Sequence, residues 1–141
     1  MADLSLVTSN EVNVVESIEQ MTLPAGEAIT PGQVVRLDTS TGKFTKANAT
    51  TVAEGRAYGI ATGKKAIAAG EPMTAVRQGV LDGFDLSSFD YDAAIYLSIT
   101  DGALTNVDPS AYGETIPVGR VIPGNNVTLG TANDKLLLVD L

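Results

Sequence analysis

The chain has no cysteine, no histidine and no tryptophan among its 141 residues. The lack of cysteine excludes disulfides, thiolate metal ligands and cysteine nucleophiles. The lack of histidine excludes Ser-His-Asp hydrolysis and histidine-based zinc sites, because both kinds of site depend on an imidazole. We therefore expect a protein that is not an enzyme and that has no catalytic residues, no metal site and no cofactor.

Basic residues are also scarce, with 9 Lys and Arg against 17 Asp and Glu, and the formal net charge is -8. A chain without a basic stripe cannot neutralise a phosphate backbone, so we expect no direct binding to nucleic acid. No apolar run approaches the length of a membrane span. The start of the chain, MADLSLVTSNEVN, lacks the basic and apolar regions of a secretory signal. We expect no membrane partner and synthesis in the cytoplasm.

Aliphatic residues are plentiful, since 44% of the chain is hydrophobic but only 5% is aromatic. Short runs rich in Val, Ile and Leu alternate with turn signals such as Pro24-Ala25-Gly26, Pro31-Gly32 and Ser40-Thr41-Gly42. This pattern predicts an all-β fold, a small β-barrel or β-tulip-like domain. The strands are predicted at residues 34–37, from residue 44, and at 58–62, 73–78, 80–81, 116–122 and 135–139.

The stretch YDAAIYLSITDGALTNVDP, residues 91–109, has apolar runs on both sides of Asp101-Gly102. An Asp-Gly between two such runs is a strong short-range signal for a β-hairpin, because glycine adopts the positive φ of a tight turn at no steric cost. We predict that the two runs pair across a turn at Asp101-Gly102 and that the turn has no chemical role.

The first twenty residues, MADLSLVTSNEVNVVESIEQ, contain no glycine and no proline, whereas the rest of the chain is punctuated by both. Two stretches alternate apolar and polar side chains, as in an extended chain with one apolar side: Leu4 and Leu6, then Val12 and Val14. The spacing over residues 14–18 also fits a helical turn. The segment is either the first strand of the domain or an arm that pairs with another subunit or protein. We predict an N-terminal arm at residues 1–20 and a β-rich domain at residues 21–141.

Four aspartates crowd one short region of the chain: Asp82, Asp85, Asp90 and Asp92. Clustered carboxylates can bind Ca²⁺ or act as a hydrolytic pair. Their spacing does not match an EF-hand loop, and we interpret them as caps and turn residues. An alternative function is a carbohydrate- or ligand-binding β-module, with or without Ca²⁺ at this cluster. An enzyme that uses the carboxylates alone is a third hypothesis.

Turn glycines and strand residues follow one another in a particular order from about Met21 to the C-terminus. The series is Ala25-Gly26-Glu27-Ala28-Ile29, Pro31-Gly32-Gln33-Val34-Val35, Leu37-Asp38, Gly42-Lys43-Phe44, Ala57-Tyr58-Gly59-Ile60-Ala61, Ala69-Gly70-Glu71, Gly79-Val80, Ile95-Tyr96-Leu97-Ser98, Gly102-Ala103-Leu104 and Val118-Gly119-Arg120-Val121. In this order of motifs the chain resembles the capsid decoration, or cement, proteins of tailed bacteriophages.

The resemblance implies a small domain of barrel or tulip-like form that sits as a homotrimer on the outer capsid surface of the virion. Such a protein clamps neighbouring subunits of the major capsid protein against the pressure of the packaged DNA. The implied partners are therefore the major capsid protein and further copies of the chain. An N-terminal arm would contact the shell or a neighbouring copy through six apolar residues: Leu4, Leu6, Val7, Val12, Val14 and Val15.

Overall fold

The computed structural model of the chain describes residues 3–124 and 135–141. Their regular secondary structure is nearly all β-strand, and their one helical element is a 3₁₀ turn, Pro109–Ala111. They contain no helix long and apolar enough to cross a membrane. The prediction of an all-β fold is confirmed, with nine strands in these ranges: β1 (Asn13–Pro24), β2 (Val34–Leu37), β3 (Phe44–Lys46), β4 (Ala57–Ala61), β5 (Pro72–Asp82), β6 (Ala94–Leu97), β7 (Leu104–Thr105), β8 (Pro117–Pro123) and β9 (Lys135–Asp140).

The strands pair antiparallel in the order β3-β2-β4-β5-β9-β8-β6-β7, and this sheet curls into a half-barrel. β5 has partners on both of its edges. One edge pairs with β1 from end to end, whereas the other pairs first with β4, at Ala75 and Val76, and then with β9, from Gln78 to Leu81. β5 therefore joins a three-stranded group, β3-β2-β4, to a four-stranded group, β9-β8-β6-β7.

Two strands of the three-stranded group are buried on both faces over part of their length, at Val34 and Val35 of β2 and at Ile60 and Ala61 of β4. Adjacent residues of a strand point to opposite faces, so Val34 and Ile60 enter the larger apolar cluster while Val35 and Ala61 enter the smaller one. A strand that is buried on both faces reads as a continuous apolar run rather than an alternation. This accounts for the paired apolar residues in the sequences of β2 and β4.

The predicted hairpin at Asp101-Gly102 is present, and it joins β6 to β7. Gly102 has a φ of +73°, in the left-handed region that glycine adopts most readily. The tip of the hairpin also forms backbone hydrogen bonds with β2 and with the residue that follows β3. The N–H of Val34 donates to the carbonyl of Gly102 at 2.9 Å, and the N–H of Gly102 donates to the carbonyl of Ala47 at 2.7 Å. The turn thus ties the two ends of the curled sheet together.

One strand prediction is wrong: residues 73–78 and 80–81 do not form two strands, because β5 is continuous from Pro72 to Asp82. Gly79 lies within β5, and a Cβ at this position would lie 2.2 Å from the carbonyl oxygen of Glu16 on β1. Glycine is needed here for the close approach of β1, not to end a strand.

The structure does not confirm a separate arm at residues 1–20. β1 begins at Asn13 and continues across the predicted boundary at residue 21, and residues 14–18 form a strand rather than a helical turn. The described residues before β1, from residue 3 onward, lie against the domain. The N–H of Leu4 donates to the carbonyl of Leu104 at 2.8 Å, and the N–H of Val7 donates to that of Gly83 at 2.7 Å.

Glu27 ties the loop after β1 to β3. Its Oε2 accepts hydrogen bonds from the hydroxyl of Thr45 and from the N–H of Lys46, the latter at 3.0 Å. Burial raises the pKa of Glu27, but these hydrogen bonds and the charges of Lys46 and Arg36 outweigh burial and hold the pKa below its ordinary value. The ionised carboxylate therefore stabilises this loop.

Substituting Gly102 by Ala tests the closure of the sheet. A left-handed φ costs a residue with a Cβ about 1–2 kcal/mol, and here the Cβ would also lie 3.0 Å from the Cβ of Gln33. Gly42 is the matched control, since its φ is +70° and nothing lies within 4 Å of an added Cβ. We expect Gly102→Ala to lower the free energy of unfolding by about 1 kcal/mol more than Gly42→Ala, measured by urea denaturation. Equal losses would show that the turn is not packed closely against Gln33.

Glu27→Gln should give a pH-dependent loss of stability. A carboxylate whose pKa is lowered by folding stabilises the fold above the unfolded pKa, and that stabilisation is lost as the pH falls through the folded pKa. We expect the variant to be less stable than wild type near neutral pH. The difference should shrink as the pH falls below the ordinary glutamate pKa of about 4.3. Urea denaturation at stepped pH measures the difference, and a difference that does not shrink would contradict the assignment.

Candidate functional site

β1 is exposed along almost its whole length, with only Leu23 half-buried. It pairs with β5 along one edge, and no other described strand pairs with its second edge. Its 12 residues extend about 40 Å. The unpaired N–H and C=O groups of such an edge form a template to which an extended segment of another chain can add. We call residues 13–24 the interaction edge.

The interaction edge also exposes apolar side chains. Ten large apolar side chains are exposed in the described part of the chain, and four of them lie on this strand: Val14, Val15, Ile18 and Met21. Ile18 is 69% exposed. Single exposed apolar residues are ordinary in soluble proteins, whereas clustered ones mark sites of interaction. This clustering makes the interaction edge the candidate functional site.

Two β-bulges shape the interaction edge. The pairing with β5 skips Val15 and Ile18, so each is the extra residue of a bulge and has no cross-strand partner. At a third irregularity the pairing skips Arg77 of β5. The Nη1 of Arg77 donates a hydrogen bond to Oε2 of Glu19 at 2.7 Å. From Gln20 to Pro24 the register is unbroken. The edge therefore has a bulged half that exposes three apolar side chains, Val14, Val15 and Ile18, and a regular half that suits strand addition.

The six residues that the resemblance assigns to an arm do not lie on one surface. Val12 is only 1% exposed and exchanges backbone hydrogen bonds with Gly63. Leu4 and Leu6 are half-buried and pack against the larger apolar cluster. The other three are exposed: Val7, Val14 and Val15. Of these, the two on β1 belong to the interaction edge, and contact with a partner stays a prediction for the whole set.

Our sequence prediction omitted Ile18 and Met21 from the contact residues. A signal was present, because the first twenty residues contain neither proline nor any Lys or Arg, the residues that commonly blunt an edge strand. The bulge that exposes Ile18 had no such signal, since a bulge depends on the pairing partner and not on the local sequence.

The four clustered aspartates have separate structural roles or none. Oδ1 of Asp85 accepts hydrogen bonds from the hydroxyl of Ser87 at 2.7 Å and from its N–H at 3.2 Å, and these bonds lower the pKa of Asp85. Asp92 pairs with Arg120 at 3.2 Å. Within residues 3–124 and 135–141, no group of three or more Asp, Glu, His or Cys side chains could hold a metal ion. The described aspartates therefore do not form a group of metal ligands.

No family model, no curated protein and no solved structure matches this chain. The fold class therefore rests on the structure alone. The resemblance to capsid decoration proteins stays a hypothesis, and no residue acquires a role from a relative.

We expect Ca²⁺ to have no effect on stability, because the described carboxylates form no group that could hold a metal ion. A ligand that binds only the folded state raises the free energy of unfolding, by about 2.7 kcal/mol at a hundred times its Kd. We expect the midpoint of thermal unfolding to be the same in EDTA, in Mg²⁺ and in Ca²⁺ at a few millimolar. A rise that is specific to Ca²⁺ and is abolished by Asp90→Asn would show that the carboxylates do form a site.

Proposed function

We propose that the chain is a structural protein that decorates the outer surface of a mature bacteriophage head as a trimer and stabilises contacts between subunits of the major capsid protein. The class of partner comes from the resemblance in sequence. The mode of docking rests on one observation, a long strand whose second edge pairs with no other described strand and which exposes four apolar side chains. The occupant of the interaction edge is an extended segment of the major capsid protein.

Strand addition accounts for how such a surface would bind. The regular half, residues 20–24, offers N–H and C=O groups at the spacing of a β-ladder, because its register with β5 is unbroken. Val15 and Ile18 would enter apolar pockets of the shell. Burying one such side chain contributes about 1.5–3 kcal/mol, so two anchors and a short ladder suffice for a specific contact.

A trimer strengthens modest contacts, because three interaction edges held on one particle bind with a high effective concentration. A clamp also needs a rigid body. Here β5 is bonded on both edges, and apolar clusters lie on both faces of β2 and β4 at Val34, Val35, Ile60 and Ala61. The net charge of -8 suits a protein on the outside of the shell, away from the packaged DNA.

Variants of the interaction edge separate binding from folding. Val15→Lys and Ile18→Lys place a charge at exposed positions that have no cross-strand partner. We therefore expect the free energy of unfolding to change by less than about 0.5 kcal/mol. Binding to expanded heads that lack the protein should weaken about tenfold to hundredfold, because a lysine cannot enter an apolar pocket. Co-sedimentation with those heads measures the affinity.

Val107→Lys is the matched control for these variants, since Val107 is 47% exposed and lies outside the interaction edge. Wild type and this control should saturate the heads in multiples of three at each local three-fold position. Deletion of residues 1–20 is a poor test, because it removes most of β1 and the buried Val12. If wild type stays in the supernatant, or if Ile18→Lys binds as well as the control, the proposal is wrong.

A further inference from the structure

An open cleft of about 500 Å³ lies where β5 exchanges one partner for another. β4 pairs with β5 only through Ile60 and Ala61, and β9 pairs with the same edge of β5 from Gln78 onward. Arg77 stands between these two pairings, and the first residues of β4 have no partner on β5. The cleft is lined by side chains from both sides of this gap, among them Leu37, Thr39, Arg56, Ala57, Tyr58 and Arg77.

The lining of the cleft is cationic although the chain is acidic. Arg56 and Arg77 both contribute to it, and no Asp or Glu of the described residues does. Arg77 is already paired with Glu19 at 2.7 Å, whereas Arg56 makes no ion pair in the part of the chain that the structure describes. A guanidinium presents its donors in a fork that matches both oxygens of a carboxylate. Arg56 is therefore positioned to bind an anionic group.

Tyr58 adds a neutral donor and an apolar wall to the cleft. Burial and the charge of Glu19 raise the pKa of its hydroxyl against the opposing charge of Arg77. The hydroxyl therefore stays protonated and can donate. The ring packs against that of Phe44, with 5.7 Å between centroids. Leu37, which is 42% exposed, supplies further apolar surface.

We infer that this cleft binds the carboxylate of an acidic side chain in an extended segment of a partner protein. Arg56 is the main ligand of that carboxylate, and Arg77 and Tyr58 donate to it from the other side. The apolar wall favours a carboxylate carried on a peptide over a free inorganic anion, because the peptide also covers Leu37. The inference concerns the chemistry of the occupant and does not require that the partner be a capsid protein.

Peptide titration tests the inference directly. The probe is the acetylated and amidated peptide Ala-Leu-Glu-Leu-Ala, and its matched control carries Gln in place of Glu. We expect the Glu peptide to shift the NMR signals of the Arg56 side chain and of residues 56–58, and the Gln peptide to bind at least about tenfold more weakly. Raising the salt concentration should weaken only the Glu peptide, since charge attraction is screened.

Three variants locate the binding site. Arg56→Gln should weaken the Glu peptide about tenfold, and Tyr58→Phe, which keeps the ring, about fivefold. Arg120→Gln is the control, because Arg120 is an exposed arginine outside the cleft, paired with Asp92 at 3.2 Å. It should leave the affinity unchanged.

Three results would overturn the inference: equal binding of the Glu and Gln peptides, an equal loss in the Arg120→Gln control, or no binding of the Glu peptide at all. Sodium sulfate binding as tightly as the Glu peptide would also overturn it and make the cleft an inorganic anion site. Because no head is used in the titration, each result is separate from the test of capsid docking.

Discussion

The pairing of β5 on both of its edges is the constraint on which the rest of the structure depends. β1 occupies one edge, and β4 and then β9 occupy the other. The backbones approach so closely that a Cβ on Gly59 would lie 2.5 Å from the carbonyl oxygen of Val76. Only glycine fits there, because a backbone oxygen cannot move aside as a flexible side chain can. The two strand groups and their apolar clusters are thereby held in one body.

The same pairing gives the interaction edge its properties. Because β5 holds β1 in place, the edge is ordered without a partner, and binding to it would avoid the loss of conformational entropy that a flexible arm would undergo. A long exposed edge also carries a hazard, since two copies of it can pair with each other. The bulges at Val15 and Ile18 interrupt its ladder, and Glu16 places a like charge on every copy. These features oppose indiscriminate self-pairing.

The cleft arises from the exchange of partners on β5. Where β4 leaves the edge and β9 begins, Arg77 is in register with no residue of either strand, and its carbonyl accepts from the N–H of Leu141, just after β9, at 3.1 Å. Arg56 and Tyr58 line the cleft beside it. The bond between Arg77 and Glu19 links this gap to β1. The interaction edge and the cleft are therefore neighbouring features that one strand positions, and a single partner can contact both.

The sequence by itself determined those features that need only neighbouring residues. The positive φ at Gly102 and the apolar run of β2 are local, and both were predicted correctly. The absence of cysteine and histidine excludes their chemistry whatever the fold. Only the tertiary structure decided that the first twenty residues include a strand, that Ile18 is exposed at a bulge, and that Arg56 and Arg77 line one cleft. Each of these features depends on pairing with β5, which lies about fifty residues or more from β1 in the sequence. The register between such distant strands is set by contacts that no local window of sequence contains.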